Sequence, residues 1–327
     1  MAVKNLIDGI REAMSEEMAR DERVVLLGED VGKRGGVFRA SEGLVDIYGE
    51  QRVIDAPLGE SGIVGVAIGM ALNGLVPIAE MQFADFIHPA FNQIVSEAAK
   101  IRYRSDNDFH VPMVIRAPFG GGVHGGLYHS QSVEAFFMHV PGLKIVIPST
   151  PADAKGLLKS AIRDEDPVVF FEHKRSYRLV RGDIPEGDVT VPIGKARLVR
   201  EGKDLSIFAY GLMAFYAEQA AQTLAQEGIS AEVVDLRTLL PLDREAILQS
   251  VARTHRALIV HEANHTMGAG AEVAATIAEG ALYELDAPIR RLTGPDIPAM
   301  PFNTPQEEHF MPNPEKIAQA ARELCAL

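Results

Sequence analysis

Cysteine is almost absent from the 327-residue sequence, in which Cys325, near the C-terminus, is the only one. A single thiol excludes intrachain disulfides, and it excludes zinc or iron–sulfur sites built from several cysteines. This composition fits a reducing compartment. We therefore expect a cytoplasmic protein.

Basic residues are also scarce relative to acidic ones. There are 32 Lys and Arg against 45 Asp and Glu, which gives a formal net charge of -13. A surface with this excess of negative charge repels phosphate backbones and anionic lipid headgroups. Neither nucleic acid nor a membrane surface is therefore an expected partner.

No apolar run continues long enough to suggest a membrane span without interruption. The longest uncharged stretch, residues 61–79, has sufficient length but contains Asn73, Gly74 and Pro77. It predicts a buried helix, a turn and a strand. Residues 1–20 predict an amphipathic helix and not a signal peptide, because apolar side chains recur at helical spacing, at Leu6, Ile10, Met14 and Met18.

The length of the chain predicts two domains, because single cores usually stop growing at about 250–300 residues. Short apolar strands alternate with helical segments, including a helix over residues 85–104, and this pattern indicates mostly parallel sheets. Residues 173–195 are charged and punctuated by glycine and proline, which indicates a linker. We predict two doubly wound α/β domains, residues 1–185 and a smaller one over 186–327.

One motif matches the zinc-binding pattern of metalloproteases, the segment His261-Glu262-Ala263-Asn264-His265. That chemistry needs both histidines on one face of a helix. The segment follows a strand-like run, residues 257–260, and if the strand continued the two imidazoles would be roughly 13 Å apart. A zinc hydrolase using His261, Glu262 and His265 is therefore a disfavoured alternative.

A second motif has the glycine spacing of a dinucleotide-binding loop, the segment Gly120-Gly121-Gly122-Val123-His124-Gly125. In that fold the glycines open a helix directly after a strand, and an acidic residue follows about 20 residues later. Here a polar segment follows, residues 128–132. The glycines therefore indicate close approach of the backbone to a ligand or another chain, with a plain surface loop as the alternative.

Glu60 lies where a strand is followed by a helix rich in small apolar residues, with Gly62, Gly65 and Gly69 on or near one face. These glycines suggest close helix packing across a subunit interface. An acid in the first helical turn has a purely structural explanation, because it complements the helix dipole. A carboxylate in apolar surroundings can also share a proton with a heterocyclic nitrogen, which is the requirement for activating thiamine.

Six segments, in their order and spacing, resemble the beta subunits of branched-chain 2-oxoacid and pyruvate dehydrogenases. They are residues 27–32, 60–65, 80–86, 129–132, 141–144 and 153–158. The resemblance runs from the first helix to the end of the chain. It implies an N-terminal pyrimidine-binding, transketolase-like domain and a smaller C-terminal transketolase-like domain. The implied activity is decarboxylation of a 2-oxoacid on thiamine diphosphate, with transfer of the acyl group to a lipoyl group of an acyltransferase.

The resemblance also implies roles for individual residues. Glu60 resembles the carboxylate that activates the cofactor and Phe86 the ring against its aminopyrimidine, while Glu29 and Leu58 would line the same pocket. His129 resembles the histidine at the active-site mouth that serves substrate and the lipoyl group, although a histidine in a glycine-rich loop is equally explained as solvated. The family often has serine at the position of Gly59, and this departure concerns the local hydrogen bonding and not the carboxylate itself.

Two kinds of metal site follow from the resemblance. Met113 and the loop containing Ala161, Asp164 and Asp166 resemble a structural site for a monovalent cation, K⁺, bound largely through backbone carbonyls. The diphosphate is held through Mg²⁺, typically by a Gly-Asp-Gly motif followed by asparagines, and that motif is absent from this sequence. The resemblance therefore implies Mg²⁺ ligands on an alpha subunit and a cofactor between unlike chains of an α2β2 heterotetramer.

Substrate and class alternatives stay open from sequence. Residues 126–137 look closer to the branched-chain members, which favours 2-oxoisovalerate over pyruvate, but a single methylene changes discrimination by only about 1–3 kcal/mol. A stand-alone transketolase-like enzyme would bind the cofactor without a second chain. A non-catalytic structural subunit would not need Glu60 for turnover.

Overall fold

The computed structural model describes residues 3–327, which form two compact units. The first comprises the chain up to Phe119 together with Phe136–Ile193, and the second comprises Gly120–Ala135 together with Gly194–Leu327. The chain leaves the first unit for the last time at Ile193, and the longer part of the second unit begins at Gly194. Met1 and Ala2, which belong to the predicted N-terminal helix, lie outside the described residues.

The first unit alternates strands and helices along the chain. Its elements are β1 (Lys4–Asn5), α1 (Leu6–Arg20), β2 (Val24–Gly28), α2 (Leu44–Tyr48), β3 (Val53–Asp55), α3 (Glu60–Leu72), β4 (Val76–Glu80), α4 (Ile101–Arg104), β5 (Val114–Phe119), α5 (Glu134–Met138, where the chain re-enters this unit), β6 (Lys144–Val146), α6 (Pro151–Ile162), β7 (Val168–His173), α7 (Ser176–Leu179) and β8 (Arg181–Gly182).

Helix α1 is the predicted amphipathic helix. A capping box formed by Asn5 and Asp8 starts it, since each side chain accepts a hydrogen bond from the other residue's backbone N–H. The side chains spaced four apart are buried, and α1 packs on α6. A Cβ atom at Gly9 would lie 2.4 Å from the carbonyl oxygen of Pro151, so glycine permits this close helix contact.

Parallel strands form the central sheet of the first unit, in the order β6-β7-β5-β4-β2-β3. Gly28 at the end of β2 lies opposite both Asp55 at the end of β3 and Glu80 at the end of β4. The carboxyl ends of these three neighbouring strands therefore lie at one edge of the sheet. This is the edge at which open α/β sheets bind ligands.

The predicted helix over residues 85–104 differs from the structure. Pro89 has no amide hydrogen, and its ring clashes with the preceding turn, so a continuous α-helix is disfavoured there. The chain instead forms four short segments: two 3₁₀ turns (Ala84–Phe86 and His88–Ala90), a π-helical segment (Gln93–Ala98) and α4. The first turn places Phe86 directly beyond β4.

The uncharged run over residues 61–79 divides as predicted into α3, a turn and β4. The turn contains Asn73 and Gly74, and Gly74 has a φ of 91°, in the left-handed region that glycine adopts readily. Within residues 3–327, no helix has both the length and the apolar character needed to cross a membrane.

The second unit is also α/β. Its elements are β9 (Arg197–Arg200), β10 (Leu205–Ala209), α8 (Leu212–Gln226), β11 (Ala231–Asp235), β12 (Thr238–Leu240), α9 (Arg244–Thr254), β13 (Ala257–Asn264), α10 (Ala269–Gly280), β14 (Arg290–Gly294), α11 (Thr304–Phe310) and α12 (Pro314–Cys325). The strand order is β14-β13-β10-β11-β9, with only the β11–β9 pair antiparallel. The predicted fold class, two α/β domains, is confirmed.

Candidate active site

Four of the predicted site residues lie just beyond the carboxyl ends of three adjacent strands. Glu29 follows β2, Leu58 and Glu60 follow β3, and Phe86 follows β4. Because β2 lies between β3 and β4, these side chains belong to one edge of the first unit's sheet. The sheet register therefore gathers residues that are separated in sequence.

Glu60 is the first residue of α3 and is partly buried. The preceding Gly59 donates its backbone N–H to Oε1 of Glu29 at 3.4 Å. Burial raises the pKa of Glu29; the Gly59 N–H opposes this shift, and the negative charges of Glu60 and Asp30 add to it. The two carboxyl groups are thus close enough for the charge of one to affect protonation of the other.

The same edge has an aromatic and aliphatic part. The Phe86 ring packs edge-on against Phe83 with centroids 5.6 Å apart, and Phe83 packs on Phe38 at 5.4 Å. Leu58 is 84% exposed, although it is a large apolar side chain beside a partly buried carboxylate. This edge is therefore apolar as well as acidic, as binding sites for small organic ligands usually are.

The glycines of α3 do not mediate helix packing within the described chain. Gly62, Gly65 and Gly69 are exposed, and a Cβ atom at Gly62 or Gly69 would meet nothing within 4 Å among residues 3–327. Val66, on the same helix, is also exposed. The predicted close contact of these glycines therefore stays a prediction about another subunit.

His129 belongs to the second unit and follows a 3₁₀ turn formed by Gly126–Tyr128. The side chain is partly exposed. A Cβ atom at Gly125 would lie 2.7 Å from both Cβ and the carbonyl oxygen of His129, so only glycine fits there. The role of His129 towards substrate and the lipoyl group stays a prediction.

The glycine-rich segment contacts carboxylates of its own chain. Gly121 donates its N–H to Oε1 of Glu262 at 2.5 Å, and Gly122 and His124 donate theirs to Oε1 of Glu307 at 2.8 and 3.2 Å. These are the backbone groups that would hold the phosphates of a dinucleotide. Their use by internal carboxylates explains the motif without such a ligand.

The metalloprotease-like motif lies on a strand, as expected, and not on a helix. β13 continues through His261 to Asn264, and His265 follows it. The ring of His265 contacts Thr293 and Arg291. The helix that would place both imidazoles on one face is therefore not formed, which removes the geometric basis for a zinc hydrolase.

Sequence reasoning missed a buried polar cluster in the second unit. The Tyr210 hydroxyl donates to Oε1 of Glu134 at 2.6 Å, and the Tyr210 ring stacks on the His261 ring at 6.2 Å. Burial raises the pKa of Glu134 to about 7, and burial lowers the pKa of His261 to about 4. Near pH 6 both side chains are therefore predominantly uncharged.

These two shifts have opposite effects on stability. Glu134 contributes stability that is lost as the pH rises from about 4.5 to about 7, and His261 contributes stability that is lost as the pH falls from about 6.5 to about 4. We expect the free energy of unfolding of Glu134→Gln, relative to that of wild type, to increase by roughly 3 kcal/mol as the pH rises from about 4 to about 8. The reason is that a pKa shift of one unit corresponds to about 1.4 kcal/mol.

Denaturant unfolding of both proteins across this pH range measures the difference. Glu315→Gln, at an exposed acid in the first turn of α12, is the control and should show no such trend. A difference between Glu134→Gln and wild type that does not change with pH would contradict the prediction.

A second missed cluster lies in the first unit. Arg116 donates to both carboxylate oxygens of Glu172, at 2.6 and 2.8 Å, and also to Glu80, while the Tyr177 hydroxyl donates to Glu172 at 2.6 Å. All four side chains are buried. The sequence signal for this cluster was the presence of charged residues within otherwise apolar strands. That signal does not say which residues pair, because the partners lie on strands far apart in sequence.

Aromatic contacts connect this cluster to the site edge. The Tyr177 ring packs on Phe38 at 5.1 Å, and Phe38 in turn contacts Phe83, the neighbour of Phe86. Burial by itself would lower the pKa of Arg116, but the carboxylates of Glu172 and Glu80 raise it above its ordinary value. Arg116 therefore stays positively charged where it contacts the two buried carboxylates.

The residues predicted to bind a monovalent cation lie in the first unit: Met113, Ala161, Asp164 and Asp166. Lys144 Nζ contacts the Asp164 carboxylate at 2.6 and 2.7 Å and Asp166 at 3.3 Å, and Arg102 contacts Asp166 at 2.9 Å. The two carboxylates are thus already neutralised. A cation here would have to use backbone carbonyl oxygens.

Comparison with known proteins identifies two family domains. Residues 4–180 match the family described as "Transketolase, pyrimidine binding domain", and residues 194–317 match "Transketolase, C-terminal domain". A solved structure titled "Split gene transketolase, inactive beta4 tetramer" superposes with a TM-score of 0.80, covering 98% of this chain and 97% of the other. At 24% identity this similarity shows the fold alone.

Full-length relatives are much closer in sequence. The 2-oxoisovalerate dehydrogenase subunit beta of Bacillus subtilis (strain 168) is 61% identical over 325 residues, 99% of each chain. The pyruvate dehydrogenase E1 component subunit beta of the same organism is 48% identical over 324 residues, again 99% of each chain. The mitochondrial 2-oxoisovalerate dehydrogenase subunit beta 2 of Arabidopsis thaliana is 50% identical, covering 97% of this chain and 88% of its own.

The comparisons confirm the resemblance stated from sequence. They extend over nearly the whole chain, and they agree with its division into two α/β units. The chain therefore belongs to the family of 2-oxoacid dehydrogenase beta subunits, built from a transketolase-type pyrimidine-binding domain and a transketolase-type C-terminal domain.

Proposed function

We propose that this chain binds the pyrimidine end of thiamine diphosphate in an enzyme that decarboxylates a branched-chain 2-oxoacid such as 2-oxoisovalerate. The observation that carries the proposal is the strand edge at which burial raises the pKa of Glu29 and Glu60 lies close enough to raise it further, with Phe86 beyond the adjacent strand. The higher identity to a 2-oxoisovalerate dehydrogenase subunit, 61% against 48% for a pyruvate dehydrogenase subunit, supports the substrate. Pyruvate is the second candidate.

The residues present fit the pyrimidine half of the cofactor. Glu60 would hold a proton between its carboxylate and the ring nitrogen N1′, Phe86 would pack against the ring, and Glu29 and Leu58 would line the pocket. The raised pKa of Glu29 and the exposed Leu58 support this use of the site. When bound, the cofactor supplies the electron sink for decarboxylation.

We place the diphosphate half of the site on an alpha subunit, in an α2β2 heterotetramer. This chain has no Gly-Asp-Gly motif, so Mg²⁺ would be held by the partner. The open glycine face of α3 and the exposed Leu58 support a covering chain. His129 would serve the substrate and the lipoyl group of an acyltransferase, and the single cysteine supports a cytoplasmic location.

We also propose a structural K⁺ bound by backbone carbonyls of Met113, Ala161, Asp164 and Asp166. The pairing of both aspartate side chains with Lys144 and Arg102 supports carbonyl ligands instead of carboxylates. Carbonyl oxygens suit a monovalent cation, because they bind it without adding formal negative charge. The cation would stiffen the loop between α6 and β7.

Reconstitution with an alpha-type subunit tests the proposed function. We expect 2-oxoisovalerate-dependent reduction of an artificial acceptor only when both chains, thiamine diphosphate and Mg²⁺ are present. We expect kcat/KM for 2-oxoisovalerate to exceed that for pyruvate by at least about 10-fold, because an apolar pocket discriminates by roughly that factor per methylene. Turnover by this chain alone would favour the stand-alone transketolase-like alternative, and a preference for pyruvate would favour the second candidate.

A further inference from the structure

The loop that carries His129, Gly120–Ser132, is shaped by positive backbone torsions. Gly120, Gly122 and Gly126 have φ values of 86°, 74° and 61°, and His124 has a φ of 56°. Alternation of left-handed and right-handed residues turns successive N–H groups towards one side and makes a concave site for an anion. In this chain the anions are two glutamate side chains of the second unit.

Glu262 joins both ends of the His129 loop. Its Oε1 accepts the N–H of Gly121 at 2.5 Å and the hydroxyl of Ser132 at 3.2 Å. His129 lies between these two attachment points. A separate backbone contact, from Gly120 N–H to the Gln131 carbonyl at 3.0 Å, closes the same loop. The position of His129 therefore depends on a carboxylate at the end of β13.

Glu307 holds the middle of the loop from α11. Its Oε1 accepts from Gly122 and His124, and its Oε2 lies 2.6 Å from Nδ1 of His124. A non-glycine residue such as His124 adopts a left-handed conformation at an energetic cost, so such a residue persists only where surrounding contacts fix it. Two backbone contacts and one side-chain contact supply that constraint.

Both carboxylates are shielded from solvent, with Glu262 3% and Glu307 2% exposed. A hydrogen bond that is shielded from water is stronger than the same bond in solvent. Glu262 and Glu307 belong to different elements, so the loop is fixed in two directions. These contacts hold in one conformation a loop whose glycines would otherwise allow many.

We propose that Glu262 and Glu307 are positioning residues that hold the Gly120–Ser132 loop in the conformation in which His129 meets substrate and the lipoyl group. The inference rests on the proposed role of His129. It adds two residues that do not reach the reacting atoms and that act through His129.

Acyl transfer to a purified lipoyl domain by the reconstituted enzyme provides the test. We expect Glu262→Ala and Glu307→Ala to lower kcat/KM by about 10- to 100-fold, because displacements of about 1 Å at a reacting group have effects of that size. Glu262→Gln and Glu307→Gln keep an oxygen acceptor for the backbone N–H groups, and should recover activity to within about 3-fold of wild type. Glu308→Ala, at the exposed neighbour on α11, should behave as wild type.

Double variants separate positioning from a general structural role. If the glutamates act through His129, then His129→Ala/Glu307→Ala should lose no more activity than His129→Ala, because the two changes remove the same contribution. Multiplied losses, or equal losses in the Ala and Gln variants, would overturn the proposal. Ser132→Ala leaves the buried carboxylates in place and should lower kcat/KM by about 3- to 10-fold even if the glutamate variants fail to assemble; no loss would count against the proposal.

The His129→Ala variant distinguishes this inference from the proposed function. Full acyl transfer by His129→Ala would refute the role of His129, and with it the positioning proposal. A large loss in His129→Ala with wild-type activity in both glutamate-to-alanine variants would overturn the positioning proposal alone. Decarboxylation that needs thiamine diphosphate and both chains would in that case still support the proposed function.

Discussion

Replacing Glu60 by alanine is expected to lower 2-oxoacid-dependent turnover of the reconstituted enzyme by about 1,000-fold, within the range that loss of a positioned acid–base group produces. The carboxylate begins α3, at the strand edge shared with Glu29. Alanine removes the group that would share a proton with the cofactor ring, while it preserves the helical backbone. Steady-state reduction of an artificial acceptor measures the loss.

The main structural alternative for Glu60 is that an acid in the first helical turn only complements the helix dipole. Glu315 occupies the corresponding turn of α12 and is exposed, so Glu315→Ala is the matched control and should keep wild-type turnover. Size-exclusion chromatography with the alpha subunit should show that Glu60→Ala still assembles. Unchanged turnover in Glu60→Ala would support the non-catalytic structural subunit instead.

Replacing Arg116 by methionine should destabilise the first unit by about 3–5 kcal/mol, the effect expected when one partner of a buried ion pair is removed. Methionine approximates the length of the side chain but leaves the buried carboxylates of Glu80 and Glu172 facing each other without a positive charge. Equilibrium unfolding in urea measures the change in free energy.

Two further variants define the cause of that loss. Arg322→Met removes an ion pair with Glu227 in which both side chains are partly exposed, 35% and 39%, and it should cost far less stability than Arg116→Met. Arg116→Met combined with Glu80→Gln and Glu172→Gln should recover a substantial part of the stability, because no uncompensated charge then remains. Equal losses of stability in Arg116→Met and in the triple variant would show that the loss comes from packing and not from charge.

The sequence alone determined much of the architecture because the relevant signals are local. Apolar strands alternating with helices predicted the parallel α/β units, and apolar spacing in residues 6–18 predicted α1. Ordered segments along the chain predicted the family. The predicted helix over residues 85–104 was wrong, because Pro89 disfavours a continuous ladder of helical hydrogen bonds.

Only the tertiary structure decided how the buried charges are paired. Arg116 meets Glu80 and Glu172 across 36 and 56 residues, and the glycine loop meets Glu262 and Glu307 across 141 and 185 residues. The spacing of apolar residues within one helix or strand carries no information about pairs this far apart in sequence. The register of the strands and the packing of the helices bring these partners together. Burial then makes each pairing obligatory, because a charge removed from water without a partner is strongly destabilising.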